Sequence, residues 1–118
     1  MAFNFEKLDV YQKSVEFAEN IYLITKDFPK EEQFGITSQL RRAAISISAN
    51  IAEGSNRSYK HYRSFLDIAR GSILECIPLL QIAKNESYIS KDVQKELYEQ
   101  CEVLSKMTSA LKRSLKDK

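Results

Sequence analysis

Apolar residues recur along this chain at intervals of three and four, so helices rather than strands set its pattern. Leu8, Tyr11, Val15, Ala18, Tyr22 and Thr25 mark one face of a first helix, expected over about 8–27. Val10, Phe17, Ile21, Ile24 and Phe28 form a second stripe beside it. Phe28-Pro29 ends this helix, because the residue before a proline is pushed out of the α region. The polar connection KEEQFG has room for one helical turn. A second helix is then expected over 37–53, with Thr37 as its N-cap and Gly54 as the residue just past its end. Ser58 caps a third helix over 59–85, whose main stripe is Tyr62, Phe65, Leu66, Ala69, Ile73, Cys76, Ile77 and Leu80. Pro78 should bend this helix without ending it, since the apolar phase continues across it. Ser90 caps a fourth helix over 90–115 with a narrower seam: Val93, Leu97, Cys101, Leu104, Met107 or Thr108, Leu111 and Leu115.

Four helices joined by short connections predict an all-α, antiparallel up-down-up-down bundle, a single domain spanning 1–118. With 118 residues, 43% of them hydrophobic and only three Gly and two Pro, the composition agrees with one helical core. Cys76 and Cys101 fall at apolar positions with no CxxC spacing and read as buried thiols. No apolar run resembles a leader or a membrane span, so the chain reads as soluble and cytoplasmic.

The stretch RRAAISISANIAEGS departs from the ordinary amphipathic pattern. Leu40, Ala44, Ile47 and Ile51 form a core face, yet the rows beside it are also small or apolar. A helix that avoids charge through its middle is covered on more than one side. A four-helix bundle of this size cannot supply that cover alone. The pattern points to a homo-oligomer with Ile45, Ser46, Ser48, Ala49, Asn50, Ala52 and Glu53 at the contact, a monomer with a wide apolar surface being the alternative. Gly71 and Ser72, in the middle of the third helix, offer close backbone approach.

Charge is unevenly spread. Residues 1–35 carry four Lys and seven acids, whereas residues 36–73 carry six cations and two acids. Arg41, Arg42, Arg57, Lys60, Arg63 and Arg70 are therefore candidates for contacting a polyanion such as RNA. The competing readings are solvating charge and salt bridges between subunits. YKHYR (59–63) interleaves aromatics with cations, a mix able to stack bases and neutralise phosphates of single-stranded RNA; the alternative is that Tyr62 enters the core and Tyr59 packs on the loop. No Gly-rich phosphate loop, nucleophile elbow, HExxH or Glu-x-x-His pair occurs, so no enzyme, metal, cofactor or small-molecule substrate is implied. His61 has no partner at a meaningful spacing.

FEKLDVYQKS, FGITSQLRRAAISISANIAEGS and YRSFLDIARGSILE together resemble the four helix bundle protein family of bacteria, also called the 23S rRNA intervening sequence protein family. The resemblance covers nearly the whole chain. It departs at Ser48, where proline is common, and at Tyr11, where tryptophan is. It implies a ring of bundles, a pentamer foremost, and kinship with the accessory variability proteins of diversity-generating retroelements, which bind nucleic acid and a reverse transcriptase. The family motif falls on Arg41, Arg42, Ser46, Asn50, Glu53 and Gly54, then on Arg63, Phe65, Ala69, Gly71, Ser72 and Glu75. The resulting expectation is a non-enzymatic oligomeric bundle that binds structured RNA or a ribonucleoprotein. The alternative is a scaffold that recruits a protein partner.

Overall fold

A computed structural model of the chain describes residues 2–116. Among these the regular elements are helical throughout: α1 (Asp9–Thr25), α2 (Ile36–Gly54), α3 (Tyr59–Asn85) and α4 (Lys91–Ser114). Short 3-10 turns occupy Asn4–Lys7 and Lys30–Glu32; the first lies ahead of the periodic segments and carries no core residue. Each helix packs on the next in the chain, α2 on α3 most extensively, and α4 closes weakly back onto α1. Across that last seam Asn20 Nδ2 donates to Gln100 Oε1 at 3.1 Å.

Local chemistry accounts for the boundaries. Ser58 Oγ accepts from the His61 backbone N–H, and Ser90 Oγ from that of Val93, satisfying donors that the first turns of α3 and α4 leave open. Thr37 does not cap α2. The helix starts a residue earlier, behind Gly35, and Thr37 is buried in its first turn. Pro78 is accommodated within an unbroken α3.

Gly54 is the last residue of α2 rather than the left-handed residue past its end. A Cβ there would lie 2.7 Å from Phe65 Cβ and 2.8 Å from Tyr62 Cδ1, so glycine is required by the close approach of α3. That contact is renewed further along the seam. Ser72 Oγ donates to Ser46 Oγ at 2.9 Å, and Asn50 Nδ2 donates to Ser46 Oγ at 2.9 Å and to its carbonyl at 2.7 Å.

The core is sealed by Phe17 and Ile21 of α1, Leu40, Ile47 and Ile51 of α2, Leu66, Ile73 and Leu80 of α3, and Leu104 of α4. Of the two stripes of α1, the one through Val10, Phe17 and Ile21 faces the core. Tyr11, Val15 and Ala18 are half-buried and Tyr22 is exposed, leaving an apolar strip on the α1–α2 side.

Candidate functional site

The six cations singled out by sequence do not form one patch. Arg41 and Arg42 stand near the start of α2 and Arg57 follows its end, about 20 Å further along the axis at 1.5 Å per residue. Arg41 is engaged within the chain. Its Nε donates to Thr25 Oγ1 at 2.9 Å, its guanidinium lies 4.5 Å from the Tyr22 ring centroid, and it ties the end of α1 to α2. Arg42 is exposed on the outward side of α2. Arg57 pairs with Glu53 at 3.3 Å and sits over the Phe65 ring at 5.4 Å. Lys60 is exposed in the first turn of α3.

Arg63 and Arg70 are seven residues apart, which returns both to one stripe of α3. They form one wall of a cleft of about 590 Å³ whose other wall is the last turns of α4 and the two residues after it. There Ser109, Lys112, Arg113, Leu115 and Lys116 complete the lining. Arg63 Nη1 donates to the Leu115 carbonyl, a cation placed where the α4 dipole favours one. Lys112 Nζ contacts Asp67 Oδ1 at 2.7 Å, an exposed pair that leaves the lysine on the rim. Five cationic side chains thus converge on one concavity, which no acid lines among the described residues, Asp67 standing at its rim on Lys112. Like charges gathered in one concavity favour an anionic partner.

The residues expected at an oligomer contact also divide. Ser46, Asn50 and Ser72 are joined to one another across the α2–α3 seam. Ser48 turns toward α1, where it lines a shallow groove with Val15, Ala18 and Tyr22. Ile45, Ala49 and Glu53 point outward, and Ala52 is half-buried. On α3, Ile68, Gly71, Glu75, Pro78 and Ile82 form an exposed i, i+3, i+7, i+10, i+14 row, with no neighbour near the missing Cβ of Gly71.

Tyr62 enters the core while Tyr59, one turn before Arg63 on the same side of α3, is 40% exposed. The buried Tyr62 hydroxyl and the buried Arg70 Nε have no hydrogen-bond partner. Burial pushes the Cys101 thiol up to about 12; burial, with the charges of Cys101 and Glu75, raises Cys76 further. Among the described residues no group of three or more His, Cys, Asp or Glu could hold a metal, and no helix is long and apolar enough to cross a membrane.

Sequence reasoning missed the α4 wall. A signal was present, since Lys112, Arg113 and Lys116 flank the seam residues Leu111 and Leu115 at the end of the helix that runs back along α3.

Fold and cleft together define a small antiparallel four-helix bundle with a cationic cleft between its third and fourth helices. The family model described as 23S rRNA-intervening sequence protein matches residues 6–110, and the chain belongs to that family. It is also similar to a crystal structure from Bacteroides thetaiotaomicron, described as a protein with unknown function from the S23 ribosomal protein family. The two share 24% identity over 88% of this chain and 98% of the other, with a TM-score of 0.81, a likeness of fold. No curated protein matches the chain.

Proposed function

We propose that this protein is a non-enzymatic, RNA-binding bundle that contacts phosphates through the α3–α4 cleft. The observation carrying this reading is the convergence of Arg63, Arg70, Lys112, Arg113 and Lys116 on one concavity. Arginine and lysine together suit phosphate oxygens, by forked donors and by point charge respectively. Membership in a family named for an intervening sequence of 23S rRNA agrees with an RNA partner.

Copies of the chain assemble, in this reading, through the outward faces of α2 and α3, where Ile45, Ala49, Ile68 and Ile82 are accessible. A pentamer, the state the family resemblance implies, multiplies the cleft and builds affinity from individually weak phosphate contacts. Arg41 is assigned to holding α1 on α2 and is left out of the RNA surface.

The test is a titration with a fluorescent RNA hairpin at about 50 and about 200 mM salt, with light scattering on the same samples. A steep loss of affinity with salt, from an assembly that keeps its size, supports the reading. Salt-insensitive binding, or none, favours a protein-recruiting scaffold.

A further inference from the structure

We infer that the α3–α4 cleft takes an unpaired segment of RNA, with its phosphates along the cleft and a base on Tyr59, rather than the side of a duplex; this rests on the RNA-binding reading above. Three observations carry it. The cations stand on two facing walls, Arg63 and Arg70 on α3 and Lys112 and Arg113 on α4 with Lys116 just past its end, so a strand lying between them is met from both sides. The distance from Arg63 to Arg70 along α3 is about 10 Å, so the track is long enough to meet a few successive phosphates of one strand. Finally, Tyr59 precedes Arg63 by one turn on the same side of α3 and is 40% exposed, in line with the cleft. An aromatic ring beside a cationic track suits unstacked bases, which duplex RNA does not offer.

The geometry further separates roles along the stripe. Arg63 holds the carbonyl end of α4 and so sets the cleft's mouth, while Arg113 and Lys116, both exposed, are available to the strand. Tyr59 then selects for an unpaired base without selecting its identity, because every base presents a π face.

The experiment compares a fluorescent oligouridylate with a blunt RNA duplex of equal length, using the full chain, Tyr59→Ala and Arg113→Gln/Lys116→Gln. Thermal melting shows that each variant is folded. The single strand is expected to bind at least tenfold more tightly than the duplex. Tyr59→Ala should weaken single-strand binding roughly tenfold. The double variant should weaken it by a similar factor at low salt and flatten a log–log salt slope of about −2, the value for about three phosphates of a single strand. Equal or tighter binding of the duplex would overturn the inference and leave RNA binding standing. Single-strand binding that ignores both variants would overturn it as well. Binding of neither probe would remove the RNA-binding reading along with it.

Discussion

Arg41 and Arg70 come from the same basic third of the sequence and are given opposite surroundings. At the α1–α2 turn, Arg41 is held by the Thr25 hydroxyl and the Tyr22 ring, while at the far side of that turn Tyr88 donates to Glu32 at 3.0 Å. The polar groups of this end are answered from within the chain. Along the α3–α4 cleft, Arg70 faces other cations, and its Nε and the Tyr62 hydroxyl of the same region are buried without partners. One end is finished for stability and the other retains unanswered polarity. A cation's role is therefore decided by what the topology brings against it, and the density of arginines along the chain does not reveal it.

The largest effect expected concerns the layer between the two ends. Cys76 and Cys101 have thiol pKa values raised above their ordinary value near 9, so the folded state keeps protons that the unfolded state releases. Their stabilising contribution is complete below pH ~8.5 and declines as pH rises toward 12, by up to about 1.4 kcal/mol per pH unit for each thiol. Urea unfolding between pH 8 and pH 11 should show this decline, and Cys101→Ala should make it shallower. An unchanged slope in that variant would remove the thiols as its cause.

Next in size, Arg41→Ala should lower stability by about 2 kcal/mol, since a charge-assisted hydrogen bond and a cation–π contact are lost together. RNA affinity should not change. A drop in affinity without a drop in stability would erase the contrast between the ends. At the other end the sign reverses: Tyr62→Phe removes an unpartnered buried hydroxyl and should raise stability by about 1 kcal/mol. Destabilisation there, read from the denaturation midpoint, would mean that the hydroxyl has a partner after all. Smallest of all, Lys112→Gln should alter stability by less than about 1 kcal/mol, because its pair with Asp67 is exposed. Its RNA affinity should fall in the low-salt titration.

Much of the fold was legible in the residues. Periodicity over Val10, Phe17 and Ile21 and over Tyr62, Leu66 and Ile73 marked core faces, and Ser58 and Ser90 announced helix starts by their hydroxyls. Gly54 was misjudged because a glycine at a helix end fits both a left-handed turn and a close contact; only the position of Phe65 separates them. The cleft was legible by half. Arg63 and Arg70 stood out by composition, but Lys112, Arg113 and Lys116 lie among enough acids along the last helix to look like ordinary solvated charge. Their meaning appears once α4 is laid along α3, which is tertiary information. The contacts of Arg41 were hidden for the same reason, since Tyr22 and Thr25 meet it only when α1 folds back on α2.

The missing side chain at position 54 also acts at a distance. It lies opposite Tyr62 and Phe65, in the first two turns of α3, and those turns carry Tyr59 and Arg63 on their other side. The hydrogen at Gly54 is thus the fulcrum on which the start of α3 rests. A methyl group there would have to displace Tyr62 or Phe65, and with them the turns that carry Arg63 to the cleft, although no atom of residue 54 lines it. One wall of the cleft is thus seated from behind, by how little α2 puts in the way of α3.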